Sequence, residues 1–241
     1  MEGEPKVEVN EELMKYEHFD QEGIVDKYKD LAEKYDEMLE EVVGYPDPVK
    51  ICEALLKVGI PKDAPICDFG CGTGLMGKYA SDPELFAKAS SESLDAPFSN
   101  ITGIDASPEM LEKAQSRGYT KLSEVFLGAG QFPADLEGKF DVAVSSGVLA
   151  HGHVSAELFD EKLRCLRKSE ADDDKRYIIF TTREEYLDTL GYGEKLKQLE
   201  DEGKIKYEDK LTFTRYQNTT DKEVSRFKPV EVSCFIYKAN V

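Results

Sequence analysis

The segment best suited to chemistry is Asp68-x-Gly70-x-Gly72-x-Gly74. Glycines let the backbone turn sharply and approach a ligand where a Cβ would clash. The loop follows a short apolar run, Pro65-Ile66-Cys67-Asp68-Phe69, and opens a helical stretch from Leu75 to Ala80. A strand before and a helix after give such a loop its meaning. Two ligand classes compete for it. Gly72-x-Gly74-x-x-Gly77 satisfies the pattern that seats a pyrophosphate on a helix amino terminus. The same turn can instead hold a nucleoside that carries no phosphate. Asp68 weighs between them: its carboxylate would repel a pyrophosphate and attract a cationic amino acid or a sulfonium. A second acid, Asp105, ends the next strand, where it can hydrogen-bond a ribose diol. It lies 37 residues beyond Asp68, more than the usual spacing of about 20. Residues 81–100, read as an insertion, account for the excess.

Other candidates are less specific. His151 and His153 follow the fourth strand, at the mouth of the expected pocket, and histidine titrates near neutrality. Nothing in their spacing orients them, so two solvated loop histidines are the plainer reading. Two histidines at i and i+2 without an acid cluster make a poor metal site, and no metal is expected. Arg183 follows the fifth strand, where it could grip an acceptor's carboxylate bidentately or simply pair with Glu184 or Glu185. Tyr28 and Tyr35 lie seven apart on one helical face, which suits core packing as well as a pocket wall. No residue is assigned as a catalytic base.

The rest of the chain bounds the partners. Lys and Arg number 31 against 49 Asp and Glu, a net charge of −18 over 241 residues. Nucleic-acid binding needs a basic face to neutralise phosphates, and an acidic membrane surface would repel this chain. Neither partner is expected. The five cysteines are odd in number and none forms Cys-x-x-Cys, so reduced, buried thiols in the cytoplasm are expected. The acidic start, Met1-Glu2-Gly3-Glu4-Pro5, lacks an apolar core, so no signal peptide is expected. A chain of this length makes one large domain. The expected organisation is a flexible acidic terminus over 1–20 and a single domain over 21–241.

The elements that must position these residues follow from periodicity. Gln21 to Val43 reads as a helix and Val49 to Ile60 as a second, together a helical cap over about 21–62. Strands are expected at 65–69, 101–105, 122–127, 140–145 and 177–182. Ser107 and Pro108 start a helix, as N-cap and first helical residue. Ala156–Arg167 and Glu184–Gly203 are helical, the latter with a break at Gly191 and Gly193. Lys210–Tyr216 and Pro229–Tyr237 alternate in polarity and read as a closing antiparallel pair. This order implies an open, mostly parallel α/β sheet with its ligand at the carboxyl ends of the strands, beside the first.

Asp68 to Gly74 resembles motif I of class I S-adenosylmethionine-dependent methyltransferases. Gly103 to Leu111 is similar to that family's second-strand segment, and Phe140 to Val144 to its fourth. Tyr28-x-x-x-Ala32-x-x-Tyr35-Asp36 resembles a helix that caps the cofactor in many members acting on small molecules. More narrowly, the Tyr-Asp helix, Gly72 to Leu75, Leu127-Gly128 and Thr181-Thr182-Arg183 look like the methyltransferase-like subgroup of the Williams–Beuren chromosomal region. The resemblance implies a Rossmann-like, doubly wound, seven-stranded sheet with an antiparallel strand at one edge.

It also implies site roles. Asp68, Gly70, Cys71, Gly72 and Gly74 would hold the methionine moiety. Asp105 would take the ribose, with Ala106 and Met110 flanking the adenine and Gly128 and Ala129 at its edge. Ser145 or Ser146 would lie beneath the donor, and Tyr28 and Tyr35 would close the pocket. His151, His153 and Arg183 would face the acceptor. Two departures stand out: Gly128 replaces an Asp that accepts from the adenine amino group in many relatives, and Asp172 to Lys175 replaces the usual Pro-Gly-Gly turn. The implied reaction is methyl transfer from S-adenosylmethionine to a small molecule or a protein side chain. The protein would act as a monomer or with an unknown partner subunit. A non-catalytic, partner-binding subunit and a nucleotide-dependent oxidoreductase are the alternatives.

Overall fold

The computed structural model describes residues 36, 39–40, 43–130, 132–168, 175–219 and 228–241. Most of the expected first helix, with Tyr28 and Tyr35, lies outside the described residues. So does most of the 172–175 turn.

Strands β1 (Ile66–Phe69), β2 (Ile101–Asp105), β3 (Lys121–Glu124), β4 (Val142–Ser145), β5 (Tyr177–Thr182), β6 (Ile205–Arg215) and β7 (Val230–Ala239) form one sheet. Its order is β3-β2-β1-β4-β5-β7-β6. The first five strands pair in parallel, and β7 pairs antiparallel with β5 and with β6. The antiparallel strand therefore stands one place in from the edge, with β6 outside it.

Helices α1 (Asp47–Lys57), α2 (Leu75–Ser81), α3 (Pro83–Ala89), α4 (Pro108–Ala114), α5 (Leu158–Cys165), α6 (Glu184–Thr189) and α7 (Tyr192–Asp201) cover the sheet. Alternate residues of a strand face opposite sides, and both sides here are apolar. Ile66, Ile101, Val142, Val144 and Ile179 join α1, α2 and α3 in one core cluster. Cys67, Phe69, Ala143, Ile178 and Phe180 join α5 and α7 in the other. Phe180 packs edge-on to Phe159 and stacks on Phe235, at 5.2 and 5.4 Å between centroids. All five cysteines are buried free thiols. Among the described residues no helix is long and apolar enough to cross a membrane.

Local chemistry sets several boundaries. The segment expected to be an insertion carries α3, because Asp82 accepts from the amides of Glu84 and Leu85 and Pro83 suits the first helical position. Ser107 caps α4 by accepting from the amide of Met110. Gly191, at φ 74°, separates α6 from α7. β3 ends at Glu124, short of the expected 127, and runs into a turn. β6 begins at Ile205, well before the expected Lys210.

The carboxyl edge is tied together by a buried ion pair. Arg215, ending β6, donates from Nε to Asp47 Oδ2 at 2.9 Å and from Nη2 to Oδ1. Asp47 starts α1 and has no exposed surface. It also accepts from the Thr181 hydroxyl, at 2.7 Å. Removing one member of a buried pair strands the other charge. The substitution Arg215→Met should therefore cost about 3–5 kcal/mol in urea-induced unfolding; a change within 0.5 kcal/mol, the size of an ordinary surface substitution, would contradict this role.

Candidate functional site

The glycine loop leaves β1 at its carboxyl end and wraps toward β2. Gly70 and Cys71 both donate their amides to the Ile104 carbonyl, at 2.8 and 3.0 Å. Gly72 donates to Asp105 Oδ2 at 2.8 Å, and Gly74 to the Cys71 carbonyl at 2.8 Å. Four of the five loop amides from 70 to 74 are thus committed within the protein, which leaves a poor cradle for a pyrophosphate. Gly72 sits at φ 54°, and among the described residues a Cβ there would meet nothing within 4 Å. Gly77, the last glycine of the dinucleotide-like pattern, has a packing role. A Cβ on it would come within 2.4 Å of the Arg117 carbonyl and of the Tyr119 ring.

The space at Gly77 admits Tyr119, whose hydroxyl accepts from the Gly77 amide at 3.1 Å and donates to Asp68 Oδ2 at 2.7 Å. Asp68 is 1% exposed, and its other oxygen is buried with no donor among the described residues. Burial pushes this carboxyl up to about 6; the Tyr119 hydrogen bond and the Lys162 charge oppose the rise, and Asp105 adds to it. The folded chain therefore holds a proton on Asp68 that the unfolded chain has released between about 3.8 and about 6. The stability this confers is lost as the pH rises through that interval. Asp105 is also raised by burial, against the amides of Ser107, Gly72 and Ala106. Two carboxyls with raised affinity for protons thus flank one bare turn, one of them with an oxygen still to be satisfied.

Cys71 and Met110 are buried at 7% and 2% exposure, and Ala106 is half-buried. Ser145 is fully buried and its hydroxyl is unpartnered, while Ser146 is half-buried. His151 is exposed; His153 points Nδ1 at the His151 carbonyl, 3.0 Å away. Arg183 pairs with Glu185 at 3.2 Å and lies over the Tyr186 ring. That is the simpler of its two expected uses.

Gly128 is already engaged from inside the protein. Glu161 of α5 accepts from the amides of Gly128 and Gly130, at 2.9 and 3.0 Å. Ser155 donates to the Gly128 carbonyl at 2.8 Å. This turn after β3 is held from inside, so Gly128 has its amide and carbonyl engaged before any ligand arrives. Sequence reasoning missed Glu161 and Tyr119, and it placed Asp36 in the capping motif without giving it a role. Asp36 accepts from the Thr73 hydroxyl and from Arg117, each at 2.5 Å, and so ties the segment before α1 to the glycine loop. It missed Tyr45 too. A Cβ on Gly147, at the turn after β4, would lie 1.8 Å from the Tyr45 hydroxyl, which therefore rests on that glycine.

A profile of the methyltransferase domain matches residues 45–220, from the start of the carboxyl-edge ion pair to beyond β6. The chain belongs to the methyltransferase domain family. Human methyltransferase-like protein 27 is 36% identical over 104 residues, covering 43% of this chain and 37% of that protein. The ubiquinone/menaquinone biosynthesis C-methyltransferase of Campylobacter jejuni is 26% identical over 131 residues, 53% of this chain and 52% of that one. The chain thus spans about half or less of these curated relatives. In fold it is similar to the magnesium protoporphyrin IX methyltransferase of Synechocystis PCC 6803, solved with bound SAH. That likeness has a TM-score of 0.57 at 14% identity and covers 92% of this chain and 100% of that one.

Two measurements check this methyltransferase-domain site. Tyr119→Phe removes the hydroxyl that favours the Asp68 anion, so the midpoint of its carboxyl carbon resonance should move above about 6. A downward move would contradict the geometry. Glu161→Ala strands the amides it now receives, at a cost of about 1–3 kcal/mol. Hydrogen exchange should quicken at Gly128 and Gly130 while the amides of β5 stay protected.

Proposed function

We propose that this protein transfers a methyl group from S-adenosylmethionine, by in-line displacement, to a small molecule or a protein side chain. One observation carries the reading: the glycine loop spends four of its five amides internally, and the buried Asp68 carboxylate before it keeps one oxygen with no donor among the described residues. That arrangement suits a cationic, phosphate-free nucleoside better than a dinucleotide. Asp68 would hold the ammonium of the methionine moiety, and Asp105 the ribose hydroxyls. The turn from Leu127 to Gly130 would border the base. The 104-residue match supports placing the chain near methyltransferase-like protein 27 within the family.

Bound S-adenosylmethionine supplies a methyl on a sulfonium, already an activated leaving group. The residues around it need mainly to align a nucleophile and exclude water, and such positioning supplies about 7–11 kcal/mol. A base is required only where the acceptor carries a proton at working pH. The acceptor side is walled by the carboxyl ends of β4, β5 and β6, with Tyr45, Gly147 and Arg183 at its rim. Tyr45 stacks on Tyr216 at 6.4 Å between centroids, and the Arg215 guanidinium lies over both rings. Tyr216 holds φ 62°, a costly conformation for a bulky side chain that persists only where its surroundings enforce it.

Calorimetry with S-adenosylhomocysteine should detect binding at neutral pH. Because the folded-state value of Asp68 is about 6, its anion is lost below that pH and affinity should fall there. Asp68→Asn should weaken binding at pH 7 by tenfold or more, on the order of 1.4 kcal/mol. Absence of heat at millimolar ligand would remove the proposal. Turnover of any acceptor in a broad panel would separate an enzyme from an inert subunit.

A further inference from the structure

Lys162 carries a positive charge into a place where no described residue offers it a hydrogen-bond acceptor. It lies on α5 with no exposed surface, and its Nζ is buried and unpartnered. That nitrogen stands 4.8 Å from the centroid of the Phe69 ring. Phe69 follows Asp68 on β1, so the two side chains project to opposite faces of the sheet. Phe69 joins the core beneath α5, while Tyr119 meets Asp68 from the other side. The carboxyl end of β1 therefore separates a buried cation lacking an acceptor from a buried carboxylate with one oxygen lacking a donor. Each alone would carry a heavy desolvation cost. A ring face offsets only part of it for an ammonium.

We propose that Lys162 is a positioning residue for the donor site, its ammonium acting through β1 to keep the Asp68 carboxylate ionised for a cationic ligand. This rests on the reading above for the identity of that ligand, but the charge coupling stands apart from it. The groups facing the pair are few. Asp68 bonds the Tyr119 hydroxyl and feels the charge of Asp105 of β2 and the thiols of Cys52 of α1, Cys67 and Cys71. Lys162 meets the thiols of Cys67 on β1 and Cys165 on its own helix. Among them Tyr119 and Lys162 favour the carboxylate and Asp105 opposes it. Burial lowers the amine to about 8, which leaves it mostly charged at neutral pH.

The coupling and a plain packing role predict opposite results. Lys162 is in no ion pair among the described residues, so an apolar side chain of similar volume removes its desolvation cost and strands no charge in contact with it. Lys162→Met, with Lys162→Leu as a second variant, should therefore keep or raise the urea midpoint of the full chain. At the same time the Asp68 carboxyl midpoint, read by carbon-13 NMR, should rise from about 6 to about 7, as expected on losing an opposite charge. Calorimetry with S-adenosylhomocysteine should then show about fivefold weaker binding at pH 6 and little change at pH 8, the ratio of ionised Asp68 that such a rise leaves. An unmoved Asp68 midpoint would overturn the proposal. So would loss of stability in both variants, since that would make the amine a packing element. If the wild-type protein bound no S-adenosylhomocysteine, the functional reading would fall, while the Asp68 midpoint would still decide the role of the lysine.

Discussion

The structure turns on keeping carboxylates out of water beside a bare peptide turn. Asp68 and Asp105 face the same loop, and burial raises the proton affinity of each. The fold answers with a few directed donors. Tyr119 serves one oxygen of Asp68, and the amides of Gly72 and Ser107 serve Asp105 at 2.8 and 3.0 Å. Other features follow from that supply. Gly77 is small so that Tyr119 can reach, and α4 starts at Ser107 just where Asp105 needs an amide. A loop that gives its amide to an internal carboxylate has little left for a phosphate, so the electrostatics of the turn and its ligand preference have one origin.

Much of this was legible from local pattern. The glycine loop, the acid before it, the acid ending the next strand and the cap at Ser107 are set by neighbours within a few residues. Both-face burial of β4 and β5 shows as unbroken apolar runs, because each strand carries helices on two sides. The break at Gly191 was visible for a similar reason: glycine tolerates the left-handed turn that ends one helix and starts another.

What was not legible depends on contacts between distant parts of the chain. Asp47 and Arg215 are 168 residues apart, and neither has a neighbour that announces an ion pair. Glu161 sits 33 residues from the Gly128 amide it receives and looks like any acidic residue on a helix face. Lys162 reads as a solvated lysine until α5 is placed against β1. The helix within 81–100 was hidden by its polar, Ser- and Pro-containing flanks. The strand order β5-β7-β6 could not come from alternation alone, because alternation fixes which face a residue takes and not which neighbour its strand finds.

That order bears on how the protein is made. β6 is synthesised before β7, yet β7 is its sole neighbour in the sheet. As the chain leaves the ribosome, β6 must wait without a docking edge until β7 emerges. The two then add to β5 as a single hairpin, and with them comes Arg215 to meet Asp47. A chain halted before β7 would thus expose the flank of β5 and leave Asp47 without the guanidinium that neutralises it.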